Sequence, residues 1–286
     1  MKDKLKLAVL GSPIAHSRSP QLQSSFARDA HIADFSYERI EVTEDTLRAT
    51  VDRLAREGYN GFNCTMPLKT EMSRIADFLG DEARILSSAN TVVIRDGKFH
   101  ADTTDGIGIL LTIHRGYGAC EKSADECVRG KRAVLIGAGG AARSAALSLK
   151  NAGAQLTVLN RTLSTAEELR KMLGDGDIRC LPLDAGALAD AAENADILIN
   201  CTSLGMSGKG EFETLSFVDK LPPHAMVIDA VYNPLETALL KKASERGLIA
   251  MSGLWMLVYQ GAAAFEKWSG VMPDEGACER AFEIIK

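Results

Sequence analysis

The sequence predicts an α/β protein of two domains, and three observations carry that reading. The chain has 286 residues, and at about 150 residues per domain that length corresponds to roughly two. Short runs rich in Val, Ile and Leu alternate with segments of helical period, the pattern of β-α-β units around a parallel sheet. Hydrophobic residues make up 46% and charged residues 25%, the balance of a chain that buries a core and not of a disordered one.

In the first hundred residues, 6–10, 35–42 and 61–64 read as strands, with helices at about 21–30 and 44–57 between them. Residues 91–95 and 98–102 flank Asp96-Gly97, a dipeptide that favours the primed two-residue turns, so they read as a hairpin and make the first sheet mixed. From Lys131 the alternation is more regular. Strands are predicted at 133–136, 155–159 and near Ile178, Ile197 and Val227, with helices at 141–151 and 165–173. Ser164 and Glu167 match a capping box that marks the start of the latter helix. The charged, glycine-bearing stretch 116–130 reads as the join between the halves. After 248–251 come two helices, 254–268 and 275–285, and no further strand.

Charge and cysteine usage narrow the function classes. Thirty-three Lys plus Arg against 38 Asp plus Glu leave a net charge of -5, so no global positive field draws the chain to nucleic acid or anionic lipid. Cys64, Cys120, Cys127, Cys180, Cys201 and Cys278 lie far apart with no C-x-x-C pair, which reads as reduced thiols in a cytoplasmic protein without a metal site. The first residues, MKDKLKLAVLGSP, hold only a four-residue apolar run and no cleavage site, so no signal peptide is expected. Ser252, Gly253 and Gln260 interrupt the apolar segment 249–265, so no transmembrane helix is expected either.

The strongest local motif is the run from Ala133 to Arg143, AVLIGAGGAAR, a buried strand passing through glycines into a helix. It matches the dinucleotide-binding fingerprint with Gly137, Gly139 and Ala142 in its three small-residue places, and the helix start supplies partial positive charge for a pyrophosphate. At the end of the next strand an NAD site places a carboxylate for the ribose hydroxyl; here stands Asn160-Arg161-Thr162. A guanidinium there pairs with a 2′-phosphate and points to NADP, or else is a solvated loop arginine.

Two further loops follow strand ends, where open α/β sheets bind ligands. In the first, GSPIAHSRSP at 11–20, Ser17 and Ser19 suit a polyol or carboxylate; equally, Ser19 and Pro20 suit the cap and first position of a helix. The second, NGFNCTMPLK at 60–69, puts Lys69 at a helix start, against the dipole's preference. Desolvation lowers a lysine's pKa and a neighbouring carboxylate raises it, so Lys69 reads either as half of an acid-base couple or as a plain surface lysine. Asn90, and Asp105 in Thr103-Thr104-Asp105-Gly106, add polar groups at further loop positions.

Taken together, GSPIAHSRSP at 11–20, NCTMPLK at 63–69, ANT at 89–91, TDGIG at 104–108, GAGGAAR at 137–143, NRT at 160–162, NCTSLGM at 200–206, DAVYNPLET at 229–237 and the stretch 253–260 resemble the shikimate dehydrogenase family, in order and spacing, over essentially the whole chain. The resemblance implies a substrate-binding and catalytic domain from 1–110 with 252–286 returning to it, and a Rossmann-type NADP-binding domain from 111–251. It implies reversible reduction of 3-dehydroshikimate to shikimate with NADP, in aromatic amino acid biosynthesis. Lys69 would be the acid-base group, paired with Asp105. Ser17 and Ser19 would hold the substrate carboxylate, Thr65, Lys69, Asn90, Asp105 and Gln260 its ring hydroxyls, and Tyr232 would touch it. Gly137, Ala138, Gly139, Gly140, Ala141, Asn160, Arg161 and Thr162 would hold the cofactor, with Asp81, Ala230 and Gly253 nearby. The partner would be a small molecule, with no nucleic acid or membrane, and the protein a monomer or homodimer.

The chain departs from the family pattern at Gln21-Leu22-Gln23-Ser24 and at Thr103, and Ser164-Thr165 stand where a second basic residue often follows the NRT motif. A relative acting on quinate or another cyclic hydroxy acid, with NAD, is the alternative. Ser19, where a threonine would suit quinate, favours shikimate. His16 reads as a loop-orienting residue and His31, His100, His114 and His224 as non-catalytic. Trp255, Met256, Leu257 and Tyr259 read as core or domain-interface residues, and Cys64 and Cys201 as buried thiols.

Overall fold

A computed structural model describes residues 4–118, 123–174 and 176–286. Cys120, the centre of the 116–130 join and the first three residues of the N-terminal segment lie outside the described residues. The chain forms two compact units, Met1–Asp105 with Val258–Lys286, and Gly106–Leu257. Among the described residues, no helix is long and apolar enough to cross a membrane.

The first unit holds strands β1 (Lys4–Gly11), β2 (Asp34–Glu41), β3 (Gly61–Cys64), β4 (Phe78–Leu79), β5 (Thr91–Arg95) and β6 (Lys98–Asp102), with helices α1 (Ser19–Asp29), α2 (Glu44–Arg56), α3 (Lys69–Ile75) and α4 (Asp81–Leu86). Its sheet runs β2-β1-β3-β5-β6-β4. Two pairings decide where the polar residues end up. β1 and β3 are parallel, with Leu10 opposite Cys64, whereas β5 runs antiparallel to β3, with Thr91 opposite Asn63 and Asp102. The carboxyl ends of β1, β3 and β6 and the start of β5 therefore meet at one end of the sheet. In the hairpin, Asp96 and Gly97 adopt φ of 51° and 70°, as a primed turn requires. Leu10, Leu47, Leu54, Phe62, Leu68, Met72 and Phe99 close the core on one face.

The second unit begins within α5 (Asp105–Gly116) and adds α6 (Ala124–Val128), β7 (Arg132–Ile136), α7 (Gly140–Asn151), β8 (Gln155–Asn160), α8 (Leu163–Met172), β9 (Ile178–Pro182), α9 (Ala185–Ala192), β10 (Ile197–Asn200), β11 (Met226–Asp229), α10 (Ala238–Glu245) and β12 (Ile249–Ser252). Its strands are all parallel, in the order β12-β11-β10-β7-β8-β9, the doubly wound arrangement of dinucleotide-binding folds. Val134, Ile136, Leu198 and Val227 pack beneath Leu188, Phe217 and Leu240. Helix α11 (Gly253–Ser269) starts in this unit and ends in the first, where Trp268 donates its indole N–H to the Val92 carbonyl at 2.8 Å; α12 (Glu275–Ile285) follows.

Several expectations need correction. Helix α8 starts at Leu163 with Thr162 in extended backbone as its cap, so Ser164 lies inside the first turn and the Ser164–Glu167 match marks no boundary. Helix α1 starts at Ser19 with Arg18 as its cap, so Ser19 is not a capping residue. Asp105 is the first residue of α5, not a loop residue, and the stretch read as a join carries α6, capped by a reciprocal Ser123–Glu126 box. Of the four residues read as core or domain interface, Met256 and Tyr259 are buried and Trp255 and Leu257 partly buried, with the Arg115 guanidinium 3.6 Å above the Trp255 ring.

Candidate active site and dinucleotide site

At the polar end of the first sheet, Lys69 and Asp105 form an ion pair, Nζ to Oδ2, at 2.5 Å. Lys69 opens α3 because the chain turns tightly after β3: Leu68 N–H bonds the Thr65 carbonyl and Thr65 N–H bonds Leu10. The lysine side chain is 28% exposed and the aspartate 10%, so the cation can reach solvent or a ligand while its partner stays fixed. Asp105 Oδ1 accepts from Asn90 Nδ2 at 2.8 Å, and the same amide group lies 3.3 Å from Gln260 Oε1. Lys69, Asn90, Asp105 and Gln260, chosen from four separated stretches, thus form one connected set.

Asn90 is buried and held at both ends. Its backbone bonds Asp102 and Cys64 across the two neighbouring strands, and its Oδ1 accepts from the Thr91 hydroxyl and the Thr104 N–H, both at 2.9 Å. Asn63 donates to Thr91 Oγ1 at 3.0 Å and accepts from the Tyr37 hydroxyl at 2.7 Å. Burial, with the Cys64 thiol adding to it, pushes the Tyr37 phenol well above its usual range, against an opposing hydrogen bond from Ser19. Ser17 accepts the Ser19 N–H on its own hydroxyl at 3.3 Å, and its carbonyl takes both Arg39 Nε and a terminal nitrogen. The loop bearing the two serines is thereby tied to β2. Thr65 borders it at the end of β3, against Gly11. His16 is exposed.

Sequence reasoning missed Tyr37, Asn63, Thr91 and Thr104 as members of this site. Asn63 carried a faint signal, since it stands on β3 two residues before Thr65; Tyr37 carried none.

In the second unit, the turn after β7 has the shape the glycines foretold. Gly137 adopts φ +108°, and a Cβ on it would press on Thr202 and the Cys201 backbone. Gly139 caps α7 with no side chain satisfying the helix amides, and a Cβ on Gly139 or Gly140 would meet no atom within 4 Å. The N-terminal N–H groups of α7 face open space of the kind a pyrophosphate fills. Ala138 is buried and its carbonyl accepts from Arg143, while Ala141 sits in the first turn. At the end of β8, Asn160 donates to the Thr162 carbonyl at 2.9 Å, which leaves Arg161 exposed at the tip. These residues fit a phosphorylated dinucleotide.

A second buried network braces the ends of β10 and β11. Asp229 is fully buried and accepts from Asn200 Nδ2 at 2.9 Å, Val231 N–H at 3.1 Å and Thr237 Oγ1 at 2.6 Å. Burial raises its pKa against these three hydrogen bonds. Asn200 also bonds Thr202 and Leu204, so the 201–206 loop and the 230–237 loop, with Ala230 and Tyr232, share one anchor. Gly253 packs directly on the Ala230 carbonyl. Asp81 belongs to the other unit, where it is exposed and paired with Arg84 at 2.8 Å.

Three family models cover the chain in order: shikimate dehydrogenase substrate binding domain over residues 9–92, shikimate / quinate 5-dehydrogenase over 120–229, and shikimate 5′-dehydrogenase C-terminal domain over 253–281. The shikimate dehydrogenase (NADP(+)) of Rubrobacter xylanophilus is 41% identical over 282 residues, 96% of this chain and 94% of that one. The chain belongs to the shikimate dehydrogenase family. The Roseobacter denitrificans shikimate dehydrogenase (NADP(+)) is 38% identical over 281 residues, 97% of each chain. Among solved structures, shikimate 5-dehydrogenase from Thermus thermophilus, in complex with NADP(H) and shikimate, superposes with a TM-score of 0.83 at 31% identity, over 99% of this chain and 100% of that one. The resemblance read from the ordered motifs is borne out, as is the pairing of a mixed sheet with a doubly wound one.

Proposed function

We propose that the chain catalyses the reversible, NADPH-dependent reduction of 3-dehydroshikimate to shikimate, a step in aromatic amino acid biosynthesis, with Lys69 as the acid-base group. The carrying observation is the 2.5 Å pair of Lys69 and Asp105, with the second carboxylate oxygen held by Asn90. Reducing a ketone develops negative charge on its oxygen. An ammonium beside it stabilises that charge and delivers the proton, and in the oxidative direction the amine takes the hydroxyl proton back. Asp105 fixes where the ammonium points.

On this reading the other candidates fill the remaining roles. Ser17 and Ser19, on the loop tied to β2, hold the substrate carboxylate; Thr65, Asn90, Asp105 and Gln260 hold ring hydroxyls, and Tyr232 contacts the substrate. Bound NADPH supplies the hydride. Residues 137–141 hold its pyrophosphate, Asn160, Arg161 and Thr162 its 2′-phosphate end, and Asp81, Ala230 and Gly253 adjoin it. The unit of residues 1–105 and 258–286 takes the substrate and that of 106–257 the cofactor. The enzyme works in the cytoplasm as a monomer or homodimer, without nucleic acid or membrane.

The test is the initial rate of nicotinamide reduction with shikimate and with quinate, each against NADP+ and NAD+, for wild type and Lys69→Ala. Shikimate with NADP+ is preferred, and the variant loses on the order of 10²–10⁴-fold in kcat. Preference for quinate or NAD+ would move the protein to the alternative branch, and a Lys69→Ala variant of near-normal kcat would remove the acid-base assignment.

A further inference from the structure

The polar network behind the ion pair has a direction. Asn63 Nδ2 donates to the Asn90 carbonyl at 2.9 Å, an obligate acceptor, so the Asn63 amide nitrogen must lie on that side and also meets Thr91 Oγ1 at 3.0 Å. Its oxygen is left for the Tyr37 hydroxyl. Thr104 N–H is an obligate donor, so the Asn90 atom facing it at 2.9 Å must be oxygen, and the Asn90 nitrogen faces Asp105. Between these two fixed amides sits Thr91, buried at 1% exposure. Its hydroxyl accepts from Asn63, and its one proton goes to Asn90 Oδ1 at 2.9 Å, with Thr104 Oγ1 at 3.2 Å on the same side. One donor from each of Tyr37, Asn63, Thr91 and Asn90 thus makes a continuous chain that ends on Asp105. Such chains polarise, each bond strengthening the next in a low-dielectric interior.

We propose that Thr91 is a positioning residue of this active site: its hydroxyl couples Asn63 to Asn90, holds the Asn90 amide plane with its N–H on Asp105 Oδ1, and so fixes Oδ2 on Lys69. The inference rests on the functional reading above. A hydroxyl is needed here because only a group that accepts and donates at once can join two oriented amides; a methyl in its place leaves an Asn63 N–H without its acceptor and leaves the Asn90 oxygen to Thr104 alone, uncoupled from Asn63.

The experiment compares Thr91→Val, Thr91→Ala and Thr91→Ser. Thr91→Val keeps the shape and removes the hydroxyl; it lowers kcat/KM for shikimate on the order of tenfold, with kcat reduced and KM for shikimate raised, while KM for NADP+ stays at the wild-type value. Thr91→Ser restores both constants. If Thr91→Val does not fold, Thr91→Ala against Thr91→Ser makes the same comparison. Wild-type constants in the hydroxyl-free variants, or an equal loss in Thr91→Ser, would overturn the proposal. A second readout needs no turnover. In the ligand-free protein, the Asn90 side-chain amide protons exchange slowly with solvent in wild type and Thr91→Ser, and faster in the variants lacking the hydroxyl. Equal exchange in all four proteins would overturn the positioning role even if wild type fails to oxidise shikimate, an outcome that would itself remove the functional reading.

Discussion

Replacing Asp229 by alanine tests whether the anchor beneath the cofactor-side loops is structural in the way its hydrogen bonds imply. The carboxylate is fully buried and receives Asn200 Nδ2, Val231 N–H and Thr237 Oγ1 at 2.9, 3.1 and 2.6 Å. Alanine strands all three donors, each worth about 1–3 kcal/mol when left unpaired in a dry site, and because they share one acceptor the losses overlap, which places the total at about 3–5 kcal/mol. Asparagine keeps the shape and an acceptor and abolishes the buried charge, so its cost is about 1 kcal/mol. Urea unfolding of wild type, Asp229→Ala and Asp229→Asn measures both. The pH dependence adds a signed test. Burial raises the Asp229 pKa above its ordinary 3.8, so the folded state binds this proton more tightly than the unfolded chain. The ionised carboxylate therefore weighs against folding above its folded pKa, and that burden lifts as pH falls through it towards 3.8. Wild type should gain stability relative to Asp229→Asn on going down through that window. An alanine variant within about 1 kcal/mol of wild type, or a wild-type advantage that shrinks on acidification, would refute the reasoning.

Gly61→Ala places a methyl where the Val92 carbonyl and the Trp268 indole already stand; it should cost at least about 2 kcal/mol in urea unfolding and raise KM for shikimate by shifting Asn63, two residues along β3. An unchanged midpoint would show that β3 and Trp268 yield freely. The Cys64 and Cys201 thiols, both pushed up to about 12, by burial first and in Cys201 also by Asp229, should resist alkylation at neutral pH in the native protein and react once it is unfolded in urea. Cys64 is buried and Cys201, read from sequence as buried, is partly so, and rapid native labelling of Cys64 would contradict that burial.

The fold was legible where one physical cause dominates a stretch. Asp96-Gly97 needs two residues at positive φ and found them, and the apolar run at 133–136 buries both faces inside a parallel sheet. Boundaries were less legible where two residues compete for one role. Thr162 and Ser164 can both cap a helix, and the extended backbone at Thr162, tied by Asn160, decides between them. The strand β4, two residues long, has too few side chains to show a period. In the site, Lys69, Asn90 and Asp105 were legible as chemistry, because each is a polar group at a strand end or helix start. Their mutual arrangement was not, since it depends on β5 running antiparallel to β3, which no single segment encodes.

The two buried carboxylates show what the sequence could not separate. Asp105 and Asp229 are both acids at the margin of an apolar segment, yet their surroundings suit opposite tasks. Asp229 is held by three neutral donors with no freedom to move, the arrangement of a fixed anchor whose charge is a burden to be contained. Asp105 splits its two oxygens, one to the rigid amide of Asn90 and one to a lysine whose side chain is partly exposed. Breaking the bond to Asn90 leaves a buried amide unsatisfied, whereas turning Lys69 outward costs little beyond a half-screened ion pair. The asymmetry would let the cation move towards a developing oxyanion while the carboxylate stays in place, and it supports the proposed assignment of acid-base work to Lys69 with Asp105 as its fixed reference.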